Sequence, residues 1–252
     1  MRIFLGSVAW RNAEIQHMQS MLQLWNHLSE QKIDFQDGTV VGDALISRSR
    51  SIVASAFLRS NCDVLLTIDS DIWFRPQDAV KLAEEAFRYH MIGSMYVTRS
   101  ATRPQPAVLL PDEPVYFDDS AKPLTVRFIS TGFMAVHRSV FERVSKTLPM
   151  CHKGWNDQGS DTSFWPFYMP FVLPDDHEEN LYLSEDWAFC ERARQAGYKI
   201  WLDPSIRLGH VGNYMFTNED LAREARHDPA PMRLTREPGG ALTSDILEPV
   251  RV

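Results

Sequence analysis

The sequence predicts an α/β protein with one mixed central sheet flanked by helices. Short apolar runs that suit buried strands alternate with longer segments whose apolar residues recur every three or four positions, as on one helix face. Acidic residues also follow one buried run directly, at the strand end where α/β proteins commonly bind ligands. The 252 residues are 44% hydrophobic and 23% charged, which is typical of a folded domain and excludes disordered, collagen-like and fibrous classes.

The first hundred residues carry the clearest alternation. Residues 64–68 form a continuous apolar run that is too short for a typical helix, so we expect a central strand there. Residues 13–30 instead have apolar side chains at helical spacing. In chain order the predicted elements are strand 2–7, helix 13–30, strand 33–41, helix 44–58, strand 64–68, helix 77–89 and strand 91–97.

The second half is less regular. Ser184 is expected to cap the start of a helix and Gly197 to end it. Residues 148–180 are rich in proline, glycine and aromatic residues and too long for a plain connector, which predicts a functional loop or lid. The predicted elements are strands 107–110, 124–130 and 133–137, helices 140–146 and 185–196, and strands 199–202 and 206–211.

The chain is expected to form a single domain over residues 1–212. Its first part, 1–100, has the alternation of a nucleotide-binding unit, and the mixed part, 101–212, suits the site of a second substrate. The remaining tail, 213–252, is rich in proline, glycine and charge. Apart from a short helix at 219–226, we expect irregular structure there.

Charge and cysteine content limit the partners and the compartment. A net charge of −7 gives no overall attraction to nucleic acid or to an anionic membrane, so a nucleic-acid partner is disfavoured but not excluded. The three cysteines form no CxxC pair, which predicts free thiols in a reducing compartment and no structural zinc. No segment has the ~18 apolar residues of a membrane span, and the apolar run 3–5 is too short for a signal peptide. We therefore expect a cytoplasmic protein with no membrane span.

The acidic residues after the central strand are the first candidates for chemistry. Asp69 and Asp71 flank Ser70, and alternate residues of an extended segment point the same way, so both carboxylates can face one crevice. Hard oxygen donors of this kind suit Mn²⁺ or Mg²⁺ bound to a diphosphate. The alternative is an ordinary Asx turn or cap after a strand.

Two further candidates lie in the second half. Glu185 and Asp186 fall in the first turn of a helix, where backbone N–H groups favour ionised carboxylates that can accept a proton from an attacking hydroxyl. The alternative is the ordinary preference for acids at a helix start. His210 lies in a short apolar segment between glycines, where it can complete a metal's ligand set or simply be a core residue.

These segments resemble the nucleotide-sugar glycosyltransferases of the GT-A fold, especially the bacterial and viral group related to glycosyltransferase family two. The resemblance covers residues 2 to about 212, and four of its motifs occur in the family's order on the elements already predicted. The segments that carry it are SRSIV at 49–53, VLLTIDSDI at 64–72, STGFMAV at 130–136, SEDWAFCERAR at 184–194 and GYKIWLDP at 197–204, followed by His210.

The resemblance implies a set of donor and metal contacts. Asp71 and His210 would bind Mn²⁺ or Mg²⁺, and Asp69 would contact the donor's ribose or the metal and its waters. The other implied donor contacts are Ser7, Val8 and Ala9 at the nucleotide base, Arg48 and Arg50 at the nucleotide or diphosphate, and Ser70, Thr131 and Gly132. The family's usual Arg-Asn is Arg50-Ser51 here, which leaves a contact at Ser51 in question.

The resemblance also implies the reaction and its second substrate. Asp186 would be the catalytic base of an inverting transfer, with Glu185 beside it, and the implied acceptor contacts are Tyr96, Trp155 and Trp187. The expected donor is a nucleoside-diphosphate sugar, with a UDP-sugar favoured. The expected acceptor is a glycan, a lipid-linked sugar or a small molecule. Retention stays open if Asp186 only contacts the donor sugar.

Three other functions remain as alternatives. A metal-dependent nucleotidyltransferase also needs an acidic pair on an α/β sheet. A non-catalytic sugar-binding module would explain the aromatic loop at 155–171 but not the acids. A glycosyltransferase acting on hydroxylated bases of phage DNA is disfavoured by the net charge of −7. The sequence contains neither a P-loop nor a GxGxxG motif, so these nucleotide-binding classes fit poorly.

Overall fold

A computed structural model describes residues 1–99, 105–152, 163–174, 180–222, 232–236 and 242–246. The strands are β1 Arg2–Ala9, β2 Asp34–Val41, β3 Val64–Ile68, β4 Ile72–Trp73, β5 Met91–Gly93, β6 Val115–Phe117, β7 Leu124–Val126, β8 Phe133–His137, β9 Cys151–His152, β10 Ser163–Phe164, β11 Phe171–Pro174, β12 Asn180–Leu183, β13 Ile200–Leu202, β14 Gly209–Val211, β15 Met215–Phe216, β16 Met232–Arg236 and β17 Leu242–Ile246. The helices are α1 Ile15–Glu30, α2 Ile46–Arg59, α3 Pro76–Tyr89, α4 Arg138–Ser145 and α5 Glu185–Gln195, with a 3-10 helix at Asn218–Ala222.

A seven-stranded mixed sheet organises the fold, in the order β2-β1-β3-β8-β5-β13-β7. Strands β2, β1 and β3 are parallel, whereas β8 runs antiparallel to both of its neighbours, β3 and β5. Because of this reversal, the start of β8 lies beside the end of β3, and Phe133 pairs with Ile68. The end of β3 and the start of β8 therefore lie together at one edge of the sheet. The predicted α/β class with a mixed sheet is confirmed.

Helices cover both faces of this sheet. Successive strand residues point to opposite faces, so Leu66 packs with α1 and α3 whereas Leu65 packs with α2, α4 and α5. Phe141 of α4 is fully buried and stacks on Phe189 of α5, with ring centroids 5.0 Å apart. Each such fully buried aromatic side chain contributes roughly 1.5–3 kcal/mol through burial. This packing fixes α5, which begins at the predicted acidic pair.

Two separate three-stranded sheets accompany the main one. The strand β14 pairs with β4 in register, so that His210 lies opposite Ile72. The strands β17, β16 and β6 form a second three-stranded sheet, in which Met232 pairs with Phe117. The latter pairing joins the region predicted as an irregular tail to residues more than a hundred positions earlier. These tail strands were not predicted.

Most predicted elements are confirmed within a few residues, but some differ. The strand predicted at 91–97 ends at Gly93, and Val97 then makes only an isolated bridge to Pro106, which lacks the N–H needed to extend a ladder. Ser184 occupies the N-cap position, yet its side chain makes no capping hydrogen bond. The strand predicted at 107–110 is reduced to an isolated bridge between Val108 and Ile129.

Part of the predicted lid packs against helix α2. The backbone N–H groups of Trp165 and Tyr168 donate hydrogen bonds to Ser55 Oγ and Ser51 Oγ at 3.0 and 3.1 Å. Phe167 and Tyr168 are fully buried. This stretch is therefore core structure rather than a lid, because opening it would expose two aromatic side chains. Residues 153–162 and 175–179 of the predicted lid lie outside the described residues.

All three cysteines lie within the described residues. Cys62 and Cys190 are buried free thiols, and Cys151 is a half-buried free thiol. In the described ranges, every helix is too short or too polar to cross a membrane.

A buried charge cluster ties α3 to the loop that leads into β14. Asp203 is fully buried and lies 2.7 Å from Lys81 Nζ, while its backbone N–H donates to the Gly93 carbonyl. Burial first, and then repulsion from Asp203, raise the pKa of Glu85 to about 7, against the attraction of Lys81 and Arg88. Glu85 therefore holds a proton in the folded protein at pH values where it is ionised in the unfolded chain.

We predict that this proton makes stability depend on pH. A carboxyl group whose pKa is raised in the folded state loses stabilisation as pH rises from its unfolded value of ~4.3 towards its folded value. Glu85→Gln mimics the protonated form, so it should raise the melting temperature at pH 8 clearly more than at pH 5. Thermal unfolding at the two pH values measures this difference. The exposed neighbour Glu84 provides the control Glu84→Gln, and an equal shift of Glu85→Gln at both pH values would contradict the prediction.

Candidate active site

Strand direction brings three sequence-predicted residues together at the edge of the main sheet. The Asp69 N–H donates a hydrogen bond to the Gly132 carbonyl at 2.9 Å. Below them, the Thr67 hydroxyl donates to the Thr131 carbonyl at 2.7 Å. These bonds fix the segment before β8 against the end of β3. The predicted donor-sugar residues Thr131 and Gly132 therefore lie beside the predicted acid Asp69.

Arg50 is the cation around which three acidic side chains gather. Its Nη1 and Nη2 atoms donate to the two carboxylate oxygens of Asp69 at 2.8 and 3.0 Å, a bidentate pair. Its Nε atom lies 3.8 Å from both Glu185 Oε1 and Asp186 Oδ1. Burial would lower the pKa of Arg50, but Asp69 and Asp186 raise it well above its ordinary value. The guanidinium thus stays charged and holds the ends of α2, β3 and α5 together.

Asp186 is the more tightly held member of the acidic pair. The Thr131 hydroxyl donates a hydrogen bond to Asp186 Oδ1 at 2.5 Å. Burial raises the pKa of Asp186, and repulsion from Asp69 adds to this, although Arg50 and Thr131 partly oppose it. Burial and the neighbouring Asp186 also raise the pKa of Glu185. Neighbouring helix residues are ~100° apart, yet both acids reach the same guanidinium.

A histidine and a carboxylate meet across the β4–β14 pairing. His210 Nδ1 lies 2.8 Å from the Val97 carbonyl, which can only accept a hydrogen bond, so the ring proton belongs on Nδ1. The other nitrogen, Nε2, lies 3.3 Å from Asp71 Oδ2. When this ring is protonated, Nε2 can donate to the Asp71 carboxylate, and when it is neutral, the Nε2 lone pair is available to a cation. Two ligand atoms converge here, with the histidine oriented by a carbonyl as in many metal sites.

Asp71 also contacts an arginine. Arg99 Nη1 lies 3.1 Å from the same Asp71 Oδ2 and donates to the Val211 carbonyl at 3.2 Å. Burial would raise the pKa of Asp71, but His210 and Arg99 hold it below its ordinary value. The carboxylate is therefore ionised at neutral pH, as a metal ligand must be. Among the described residues, no cage of three or more His, Cys, Asp or Glu side chains is present.

Tyr96 connects the two acidic centres. Its ring packs edge-on against the His210 ring, with centroids 5.0 Å apart. Its other side covers Gly132, where an added Cβ would lie only 2.5 Å from the Tyr96 hydroxyl oxygen. Tyr96 is only 7% exposed, so it is a wall between the two centres rather than an open surface for an acceptor.

A cavity of about 320 Å³ opens beyond the end of β1, and its walls include the predicted base-binding residues Val8 and Ala9. The remaining lining residues are Trp10, Asp43, Ala44, Ile46 and Ser49. Trp10 is 52% exposed and offers an aromatic surface. At the rim, the Arg48 guanidinium donates to both Asp43 carboxylate oxygens at 2.7 and 2.6 Å. The cavity thus combines an aromatic ring, apolar walls and a carboxylate.

The other predicted site residues lie in different surroundings. Ser70 contributes its carbonyl, which accepts a hydrogen bond from the Glu14 N–H at 2.9 Å. Trp187 stacks on Phe128 with centroids 4.7 Å apart, so one of its faces is covered. Trp155 lies outside the described residues. Ser51 accepts a backbone hydrogen bond from Tyr168, which gives the departure from the family's Arg-Asn a structural role.

Sequence reasoning missed four residues of this region. Arg99 and Asp43 contact predicted site residues, while His17 lies beneath β4 with its Nδ1 atom 3.2 Å from the Ile72 carbonyl. The Tyr168 hydroxyl is buried and without a hydrogen-bond partner among the described residues. Only Asp43 had a sequence signal, because it is a carboxylate just after a predicted strand at the ligand-binding edge.

No family model matches the sequence, and no curated protein matches it. Among solved structures, the chain is similar to a Drosophila β1,4-galactosyltransferase 7 mutant in complex with manganese, UDP-Gal and xylobiose, at 13% identity over 91% of this chain and 82% of that one, with a TM-score of 0.40. It is similar to S. aureus TarS 1-349 in complex with UDP-GlcNAc, at 11% identity over 81% and 57% of the two chains, with a TM-score of 0.43. It is also similar to GalNAc-T7 with UDP, GalNAc and Mn²⁺, at 12% identity over 84% and 44%, with a TM-score of 0.42. These likenesses are remote, so the function proposed below is drawn from the residues of the site.

Proposed function

We propose that this protein is a GT-A glycosyltransferase that transfers a sugar from a nucleoside-diphosphate sugar to an acceptor hydroxyl, with inversion. The observation that carries the proposal is the placement of two acidic centres on the two sides of Tyr96. One is the Asp71–His210 pair, which has the donor atoms of a divalent-cation site. The other is Asp186, a half-buried carboxylate with a raised pKa at the start of a helix. Sugar transfer needs both, one for the leaving diphosphate and one for the attacking hydroxyl.

The Asp71–His210 pair suits a cation that is shared with a substrate. Mg²⁺ and Mn²⁺ prefer oxygen ligands, and such ions are commonly held by one or two protein carboxylates together with substrate phosphates. When bound, a divalent ion would stabilise the negative charge that develops on the leaving diphosphate. Asp71 would provide a carboxylate oxygen and His210 its Nε2 atom, with the Val97 carbonyl fixing the ring.

The cavity beside Val8 and Ala9 suits the nucleotide. Trp10 can stack on a base, and the Asp43 carboxylate can accept hydrogen bonds from a ring N–H, as uracil offers. Arg48 holds Asp43 in place through two hydrogen bonds and so orients this acceptor. A uridine diphosphate sugar is therefore the donor we favour.

Asp186 is placed to act as the general base. Its Oδ1 atom is occupied by the Thr131 hydroxyl, which orients the carboxylate and leaves Oδ2 for the proton of the acceptor hydroxyl. The raised pKa increases its basicity once it is ionised. Arg50 would balance the negative charge of the ionised Asp186, because its Nε atom lies 3.8 Å from Asp186 Oδ1. The acceptor would be a glycan, a lipid-linked sugar or a small molecule.

The overall proposal is tested by a donor screen. The protein is heated with each nucleotide sugar, with and without Mn²⁺, and the melting temperature is recorded. A donor at ~100 times its Kd stabilises by ~2.7 kcal/mol, which corresponds to a rise of about 5–10 °C for a chain of this size. A rise with one UDP-sugar that needs Mn²⁺ supports the proposal, and no rise with any nucleotide sugar would contradict it.

The metal site generates a second prediction. Asp71→Ala removes a carboxylate ligand, so the Mn²⁺-dependent binding of the donor and the transfer of sugar should both be lost while the fold is kept. Isothermal titration with UDP and Mn²⁺ and a circular-dichroism melt measure the two properties. Asp112→Ala, at an exposed aspartate far along the chain, is the control. Normal transfer by Asp71→Ala would disprove the site.

The base generates a third prediction. Asp186→Asn keeps the shape and the Thr131 contact but removes the basic oxygen, so turnover should fall ~10²-fold or more with little change in donor affinity. Glu185→Gln should have a smaller effect, since Glu185 lacks the hydrogen bond from Thr131. Because burial raises the pKa of Asp186, wild-type turnover should decline on the acidic side at a higher pH than for an ordinary aspartate.

The stereochemistry of the product provides the independent check. Proton NMR of the product of a single turnover should show that the anomeric configuration of the donor is inverted. A retained configuration, or near-normal turnover of Asp186→Asn, would mean that Asp186 is only a contact of the donor sugar.

A further inference from the structure

Arg99 lies on the carboxylate oxygen that the proposed cation would use. Its Nη1 atom is 3.1 Å from Asp71 Oδ2, and His210 Nε2 approaches the same oxygen at 3.3 Å. Arg99 also donates to the Val211 carbonyl at 3.2 Å, which places the guanidinium along β14. A positive side chain therefore stands at one of the two atoms that converge on the proposed metal position.

A guanidinium and a divalent cation compete for this oxygen. A cation coordinated ~2.1 Å from Oδ2 would stand close to the guanidinium nitrogen that now contacts the same oxygen, and the two like charges would repel. The two arginine–aspartate pairs of the site differ in how readily they separate. The Arg50 side chain is 5% exposed and bidentate on Asp69, whereas the Arg99 side chain is 46% exposed and touches Asp71 through one nitrogen. Arg99 can return to solvent, and Arg50 cannot.

The Arg99 side chain is 46% exposed, so it can move into solvent although it packs closely against Gly212. An added Cβ at Gly212 would lie 3.1 Å from Arg99 Cδ, so the absence of a side chain at Gly212 accommodates the aliphatic part of Arg99. Arg99 follows Val97, whose carbonyl orients His210, so its backbone stays beside the proposed metal ligands wherever the side chain goes. A planar guanidinium with five donors suits phosphate oxygens. The nearest anion in the loaded enzyme would be the diphosphate that shares the cation.

We propose that Arg99 is an exchangeable counter-ion of the metal site. It neutralises Asp71 before the cation binds, and it contacts the leaving diphosphate once the cation and the donor are in place. This inference rests on the proposed function, because it requires Asp71 to be a metal ligand. Arg99 should therefore have opposite effects on two ligands. It weakens the binding of the bare cation, and it strengthens the binding of the cation–diphosphate complex.

The test is to measure the two ligands separately in Arg99→Gln. Free Mn²⁺ is followed by electron paramagnetic resonance in a titration without nucleotide, and UDP binding is followed by calorimetry at saturating Mn²⁺. Removing one exposed charge pair changes binding by about 1 kcal/mol, so we expect Mn²⁺ alone to bind ~5-fold tighter and UDP ~5-fold weaker. Arg99→Lys keeps the charge and should remain close to wild type for Mn²⁺ alone. Arg88→Gln, at an exposed arginine on α3, controls for net charge.

The outcomes separate this inference from the proposed function. If Asp71→Ala loses Mn²⁺ binding but Arg99→Gln binds Mn²⁺ as the wild type does, or more weakly, the counter-ion role is overturned and the metal site stands. If Asp71→Ala binds Mn²⁺ normally, the metal site itself fails and the counter-ion role fails with it. If Arg99→Gln weakens the binding of both ligands and also lowers the melting temperature, Arg99 only supports the fold and the counter-ion role is overturned. Opposite shifts for the two ligands support the inference.

Discussion

The ion pair between buried Arg50 and half-buried Asp69 is the interaction on which the site depends. One guanidinium binds both oxygens of Asp69 and stands 3.8 Å from Glu185 and Asp186, so three chain segments meet around a single charge. A largely buried ion pair of this kind contributes little net stability, but removing one partner leaves an uncompensated charge at a cost of about 3–5 kcal/mol. The same cation also allows two neighbouring carboxylates to share a dry site. Without it, repulsion would separate the helix start from the strand end.

The elements were largely predictable, and their order in the sheet was not. Strands Val64–Ile68 and Phe133–His137 have the bounds that their apolar runs predict, because a local pattern of burial suffices to define them. The antiparallel direction of β8 depends on which strands pair, and pairing is a contact between distant residues that no local pattern encodes. The same reason explains the tail strands, where Met232–Arg236 joins Val115–Phe117.

For the site, residues at the ends of elements were predictable and residues brought in by tertiary contacts were not. Asp69, Asp71 and Asp186 follow a strand or begin a helix, so the local pattern that predicts the element also places these carboxylates. Arg99 gave no such signal, because its importance comes only from its distance to Asp71. Tyr96, in contrast, was predicted but has a different role. An aromatic residue near a site suggests stacking on a sugar, but Tyr96 is buried and forms an internal wall, and its burial could not be seen in the sequence.

That wall has a consequence for any attempt to change the sugar that the proposed enzyme would transfer. Gly132 is the natural position to reshape beneath a donor sugar, yet the smallest added side chain would meet the Tyr96 ring and hydroxyl at 2.5–2.8 Å. The Tyr96 ring in turn packs against the His210 ring in a T-shaped contact. Enlarging residue 132 would therefore also displace the histidine, so in the proposed function sugar selectivity and metal affinity would change together. In this site the two properties are mechanically coupled, so a redesign of one has to include the other.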